Sequence, residues 1–231
     1  MVKLISLDLD DTLWDAPTVL ERAEQAQYTW LSAHCPDICA AYDMATLYAL
    51  RMDYIAANPA LAHSFTVTRQ RFLAELMVRH GYDPALADDL MAHFMRWRSR
   101  VTLFPDVEPA LARLRPRCKI AAVTNGNTDL ELAGLAHHFD YYINPDRAGF
   151  AKPHPGIFNH LMALAEVSAH EVVHVGDHPV YDIQAARNAG VTAVWMNRTS
   201  SGWHGAQQRP DYEISDLEQL AELIYQQFLK E

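Results

Sequence analysis

The chain has 231 residues, half of them apolar and 21% charged, the make-up of one large globular domain or of a medium domain carrying an insert. Folding a chain of this length buries roughly 70–75% of its unfolded surface, so neither disulfides nor a structural metal is required. A net charge of −10 argues against nucleic acid or an anionic membrane as partner, yet a small phosphorylated ligand needs only a few local donors or a divalent cation.

Val2-Lys3 leads straight into the apolar run Leu4 to Leu9, which reads as a buried parallel strand rather than a signal peptide. From about Asp15 to Arg100 the periodicity is helical. Thr18-Val-Leu-Glu21 has capping-box spacing, and Leu20, Ala23, Gln27, Trp30 and Leu31 recur at intervals of three and four. Segments near 37–57, 67–80 and 84–99 repeat that pattern between Pro36, Pro59 and Pro84, which predicts four helices and no strand. The aromatic residues of this stretch, Tyr28, Trp30, Tyr42, Tyr54, Phe72, Phe94 and Trp97, read mainly as helix-packing groups.

After Pro105 helices and strands alternate. A helix over 106–114 precedes a strand at Lys119–Thr124, and one over 128–138 precedes Tyr141–Ile143. A helix over 155–166 precedes Val172–Val175, and one over 180–188 precedes Val191–Trp195. Ser200–Pro210 reads as a surface loop, and a strand at Tyr212–Ile214 leads into a closing helix over 216–229. Such alternation implies an α/β fold: a Rossmann-like, doubly wound parallel sheet formed by 1–14 and 101–231, with an all-helical insert over 15–100. Ligands of open sheets bind at the carboxyl ends of the strands, so the insert, which begins there, is expected to act as a lid.

Four fragments fall at or near those ends: Asp8-Leu9-Asp10-Asp11-Thr12, Thr124-Asn125-Gly126, Lys152-Pro153, and Gly176-Asp177 with Asp182. Each is weak alone; their order makes them specific. A carboxylate attacking phosphorus splits hydrolysis into two displacements through an acyl phosphate. Attack by one anion on another calls for a cation, and Mg²⁺ prefers a few carboxylates, waters and the phosphate itself. Asp8 and Asp177 supply carboxylates from neighbouring strands, with a backbone carbonyl near Asp10 as third ligand. Asp10 is placed to protonate the leaving oxygen and then to deprotonate water. Thr124, the amides around Asn125 and the Lys152 ammonium are placed to bind phosphoryl oxygens, and Lys152 also offsets Asp8. Asp11 reads as a turn acid, His174 as a hydrogen-bonded core histidine, and His178 as a loop residue. Cys35, Cys39 and Cys118 read as reduced thiols of a cytoplasmic protein, without a second cluster that would complete a zinc site with His34.

The fragments resemble the four motifs of the haloacid dehalogenase (HAD) superfamily, and the insert resembles its C1 cap. The resemblance implies a Mg²⁺-dependent phosphomonoesterase with Asp8 as nucleophile and Asp10 as acid/base. It implies Thr124 and Lys152 as phosphate binders, Asp177 as metal ligand and Asp182 as a second acid orienting the metal site. Asp8–Leu13, Trp97-Arg98-Ser99-Arg100, Thr124-Asn125-Gly126-Asn127 and His174-Val175-Gly176-Asp177 resemble the YigB-type phosphatases more narrowly. These act on flavin mononucleotide and on 5-amino-6-(5-phospho-D-ribitylamino)uracil. A small phosphorylated metabolite is therefore the expected partner, with no nucleic acid or membrane, and a monomer is favoured over a dimer. Rival readings are a phosphomutase of the same superfamily, a haloacid dehalogenase, a receiver domain and a non-catalytic phosphate-binding module. Asp10, Asp177 and Asp182 speak for phosphorus over carbon as the electrophile.

Overall fold

Buried apolar runs at Leu4–Leu7 (β1), Lys119–Val123 (β2), Tyr141–Ile143 (β3), Val172–Gly176 (β4), Thr192–Met196 (β5) and Tyr212–Ile214 (β6) pair in parallel, in the order β3-β2-β1-β4-β5-β6. This computed structural model describes residues 1–61, 64–204 and 208–228. β1 is central: Leu4 to Leu7 pair in register with Lys119 to Ala122 on one side and Val172 to Val175 on the other. From β1 the chain first builds outward through β2 and β3, then crosses to the opposite side for β4, β5 and β6. The strand order therefore reverses between β1 and β4, the place where an open parallel sheet leaves a crevice.

Alternate residues explain why the strands read as continuous apolar runs. On one face Leu4, Ala121, Val123, Val172, Ala193 and Trp195 join Ile157, Phe158 and Leu161 of the helix Gly156–Ala165 in one core. Ile5, Leu7, Ile120, Ala122, Val173, Val175 and Val194 alternate with them and are fully buried too. The helices Val107–Leu114 and Leu217–Leu223 pack against each other. This is a doubly wound α/β sheet of the Rossmann-like kind.

By contacts the chain divides into two units: Met1–Asp15 with Thr102–Gly126 and Leu135–Glu231, and Ala16–Val101 with Asn127–Gly134. The second unit is helical, with helices at Ala16–His34, Pro36–Ala41, Met44–Ala57, Phe65–Arg79 and Leu86–Arg98. Among the described residues five helices replace the predicted four, because the second segment breaks at Tyr42-Asp43. Both residues are extended, and the Asp43 side chain accepts from the Thr46 amide at 2.8 Å, capping a new helix. Thr18 is not a cap: the first helix begins at Ala16, with Pro17 in its opening turn, where a fixed φ and a missing N–H cost nothing. Phe72 and Phe94 are buried in the core of this unit, and Tyr28, Trp30, Tyr42, Tyr54 and Trp97 pack against it.

The helix predicted over 128–138 does not form. The Asp129 carboxylate accepts from the amides of Glu131 and Leu132, and Gly134 turns the chain at φ +72 before a short 3₁₀ turn at Ala136–His138. Asp129 also donates its amide to Ser99 Oγ at 3.0 Å, and the Asn127 side chain reaches Thr66 Oγ1 at 3.3 Å. Local side-chain bonds and contacts with the helical unit thus override an apolar pattern of helical spacing. The first strand stops at Leu7, not Leu9, and the helix expected over 180–188 opens as a wide π-type turn, Pro179–Gln184, before Ala185–Asn188. The closing helix runs Leu217–Leu223 and widens over Ile224–Phe228; position 229 of its predicted span, and 205–207 of the predicted loop, lie outside the described residues.

Inside the helical unit Glu24 gathers two buried guanidinium groups. Arg51 and Arg69 each reach its Oε1 at 2.7 Å, and Arg69 also donates to Gln27 Oε1 at 2.9 Å while lying over the Phe94 ring. Burial pushes the Glu24 carboxyl up, but the hydrogen bonds and charge of Arg69 and Arg51 bring it down to about 2. Removing that charge strands two buried cations. Glu24→Gln is expected to lower unfolding free energy by about 3 kcal/mol, read from the urea midpoint; a loss below about 0.5 kcal/mol would mean that the cluster behaves as a solvated surface pair.

Candidate active site

The seven residues singled out from the sequence, Asp8, Asp10, Thr124, Asn125, Lys152, Asp177 and Asp182, all line one cavity of about 180 Å³ at the carboxyl ends of the strands. Asp8 is the first residue after β1. Its amide donates to the Val175 carbonyl at 2.8 Å, which extends the β1–β4 ladder by one rung and fixes where the side chain starts. Thr124 follows β2 in the same way, its amide bonded to the Ile143 carbonyl and its hydroxyl accepting from the Gly126 amide at 2.8 Å.

Lys152 is the centre of the site and is 3% exposed. Its ammonium donates to Asp8 Oδ1 at 2.6 Å, to Asp182 Oδ1 at 2.5 Å and to the Val123 carbonyl at 3.0 Å, so all three of its protons are committed. Asn125 holds the lysine in place: its Nδ2 donates to the Lys152 carbonyl at 2.7 Å and its Oδ1 accepts from the Lys152 amide at 2.8 Å. The Asn125 side chain is therefore spent on the loop, and only its backbone could face an anion.

Asp182 is held from three sides. Besides Lys152, it takes His174 Nε2 at 3.1 Å on Oδ1 and the His178 amide at 2.9 Å on Oδ2. A carboxylate can only accept, so Nε2 carries the His174 proton and Nδ1 accepts from Ser6 Oγ at 2.9 Å. Ser6 and His174 are in register on β1 and β4, two polar residues in otherwise apolar strands. His174 is fully buried, and that burial lowers its pKa despite Asp182, so the ring is neutral. Gly176 lets the turn after β4 fold back onto the strand end, because a Cβ there would overlap the Asp182 side chain. His178 is exposed, and its Nδ1 accepts from the amides of Val180 and Tyr181, capping the wide turn that carries Asp182.

Asp10 sits differently. Asp11 turns the chain at φ +58 immediately after it, and Asp10 Oδ1 accepts from the indole Nε1 of Trp14 at 2.9 Å. Sequence reasoning leaves out Trp14 and Ser6. The signal available is a pair of polar residues within two apolar strands; Trp14 gives none, because a tryptophan in such a place reads as core.

The electrostatics are lopsided. Carboxylate oxygens of Asp8, Asp177 and Asp182 lie within 4.8 Å of one another, against one ammonium. Burial raises the Asp8 carboxyl well above its ordinary value; Lys152 pulls it back, and Asp182 and Asp177 push it further up. Asp177 is raised to about 7 by burial and by the nearby Asp182 and Asp11. Asp182 is held low, since Lys152 and His174 outweigh its burial, and Lys152 is held protonated by the two acids. Too many acids for one cation, all of them hard oxygen donors, is the arrangement a Mg²⁺ ion relieves. Asp8 and Asp177 are the available ligands, because Asp182 is already engaged by Lys152, His174 and the His178 amide.

Known proteins resemble this chain over most of its length. The family model described as a haloacid dehalogenase-like hydrolase matches residues 2–190. The 5-amino-6-(5-phospho-D-ribitylamino)uracil phosphatase YigB of Escherichia coli (strain K12) is 29% identical over 96% of either chain. The phosphoserine phosphatase of Thermus thermophilus is 33% identical over 95% of this chain and 98% of its own. Among solved structures, 2-haloacid dehalogenase from Pseudomonas syringae pv. Tomato DC3000 superposes with a TM-score of 0.91 at 35% identity, over 97% of this chain and 99% of that one.

The raised Asp177 carboxyl makes stability depend on pH. Between about pH 4 and 7 the folded chain holds a proton that the unfolded chain has lost, so this contribution favours folding at low pH and disappears as pH rises through 7. In cation-free buffer the urea midpoint should therefore fall from pH 5 to pH 8, and Asp177→Asn should flatten that slope. Added Mg²⁺ should stabilise the wild type more at pH 8 than at pH 5; equal stabilisation at both would separate the ion from Asp177.

Proposed function

Since this chain belongs to the haloacid dehalogenase-like hydrolases, we propose that it is a phosphatase that hydrolyses small phosphomonoesters through a transient acyl phosphate on Asp8. The observation that carries the reading is the Asp8 carboxylate at the strand-order reversal, 2.6 Å from a buried ammonium and beside two further acids. An Asp8 oxygen attacks phosphorus in line with the leaving group, forming an acyl phosphate as the ester P–O bond breaks. Asp10 gives its proton to the departing oxygen. It then takes a proton from the water that attacks the acyl phosphate and returns the Asp8 carboxylate. Thr124 and the Asn125 amide stabilise the equatorial oxygens, while Lys152, kept from moving by Asn125 and Asp182, holds its positive charge beside them.

Asp8, Asp177 and the backbone carbonyl of Asp10 would hold Mg²⁺, with Asp182 behind them. Bound there, the ion offsets the repulsion between the phosphate and the crowded acids. All seven residues come from one unit of one chain, which supports a monomeric enzyme. The three free thiols suit the cytoplasm.

The YigB likeness favours flavin mononucleotide or 5-amino-6-(5-phospho-D-ribitylamino)uracil as substrate, and the second curated relative adds phosphoserine to the panel. One observation favours another reading: the solved structure at TM-score 0.91 is called a 2-haloacid dehalogenase. That chemistry also begins at the nucleophilic aspartate but has no use for an acid two residues on, nor for a cluster of acids around a cation. Asp10 and Asp177 therefore favour phosphorus. A phosphomutase would use the same acids and return an isomer in place of inorganic phosphate.

Phosphate release across a panel including flavin mononucleotide, phosphoserine and 4-nitrophenyl phosphate, with halide release from 2-chloropropionate alongside, tests the reading. Asp8→Asn should reduce phosphate release by at least about a thousandfold; a folded variant with undiminished turnover sinks the mechanism. EDTA should abolish activity and excess Mg²⁺ restore it, whereas halide release that survives EDTA would support the dehalogenase instead.

A further inference from the structure

We infer that Trp14 is the positioning residue for the carboxylate that handles the leaving-group proton. The inference rests on the phosphatase reading and deepens it by assigning what orients Asp10. Trp14 is fully buried and among the largest side chains in the interior. Its backbone closes the turn that follows β1: the Asp11 amide donates to the Trp14 carbonyl at 2.9 Å, and Trp14 forms single bridges with Asp10 and Leu103. The next rung, from the Phe104 amide to the Leu13 carbonyl at 2.9 Å, ties the turn to the returning chain. Arg198 fastens the same turn from the β5 side through the Thr12 carbonyl. Within this frame the indole points back along the chain and donates Nε1 to Asp10 Oδ1.

The type of donor matters. An arginine or lysine in that place would hold Asp10 as an anion and oppose the protonated form that the first half-reaction consumes. An indole N–H is neutral and donor-only, so it orients the carboxylate but cannot take up the proton itself. Asp10 can then cycle between acid and carboxylate without losing its aim. The turn alone does not supply that aim, because with Asp11 at φ +58 the Asp10 side chain is released from the strand's alternation. A buried ring anchored at both ends of its own backbone is a rigid support, and general acid catalysis is sensitive to small errors in placement.

The test uses the full-length enzyme and two esters that differ in their need for a proton. Trp14→Phe keeps a buried ring and removes the donor. For an alkyl phosphate such as glycerol phosphate, kcat should fall about tenfold with KM changed less than about twofold. For 4-nitrophenyl phosphate, whose leaving group departs as an anion, the rate of the first displacement, read from the burst of 4-nitrophenolate, should fall by less than about threefold. In an Asp10→Asn background the same substitution should change neither value further. Equal losses on both esters, or a further loss in the Asp10→Asn background, would mean that Trp14 only supports the fold. Should Trp14→Phe fail to fold, the indole ¹⁵N–¹H spectrum decides: Asp10→Asn should move one of the five tryptophan resonances, and a spectrum in which none moves overturns the contact. A wild type that releases phosphate from neither ester counts against the phosphatase reading, while the spectrum still judges the Trp14–Asp10 bond.

Discussion

A buried ammonium group cannot stand without counter-charge, and Lys152 draws its own from two strands at once, from Asp8 after β1 and from Asp182 beyond β4. Those strands are neighbours only because the sheet reverses its order between them. The same triad therefore closes the crevice of the fold and sets the electrostatics around Asp8. Were the lysine absent, two buried carboxylates would repel each other and one would take a proton. With it present, Asp182 stays charged and serves as a fixed counter-ion, while burial and the neighbouring acids still hold the Asp8 carboxyl above its ordinary value.

The surrounding polar groups serve that ion triad. Asn125 grips the lysine by its backbone, and His174 with Ser6 satisfies Asp182 from below. His178 caps the turn that brings Asp182 in, and Gly176 leaves the space it occupies. A buried network of this kind is favourable only if every member is satisfied, since the low dielectric that strengthens each bond also magnifies an unmet one. The charge imbalance at Asp177 is the exception, an acid raised to about 7 that Lys152 offsets only in part. A cation bound at this point would gain most from its surroundings.

Much of this is legible in the sequence because parallel strands buried on both faces are apolar to their ends, so acids at the ends stand out. Asp8, Thr124 and Asp177 emerge by that contrast, and Lys152 by its place in the order. Geometry that depends on partners distant in sequence is not legible. Asn125 reads as an amide beside a phosphate site, yet its side chain is committed to Lys152, 27 residues on. The helix expected over 128–138 gives way because Asp129, Ser99, Asn127 and Thr66 offer the backbone and side chains better bonds than a helix would. Asp43 does not stand out as a cap because the apolar period continues through it, although its own side chain supplies the bond that starts the next helix.

The acids after β1 also carry the argument about which bond is broken. A carbon electrophile with a halide leaving group needs a nucleophile and nothing to protonate, because halide departs as a stable anion. A phosphomonoester leaves as an alkoxide unless a proton arrives with it, so the second acid has chemical meaning only for oxygen leaving groups. In this chain Asp10 stands two places after Asp8, next to a left-handed turn at Asp11, and accepts from the neutral indole of a fully buried ring. A scaffold shared with a protein called a dehalogenase thus does not decide the reaction. What decides it is whether the residue two places after the nucleophile has been given a fixed position from which to move a proton.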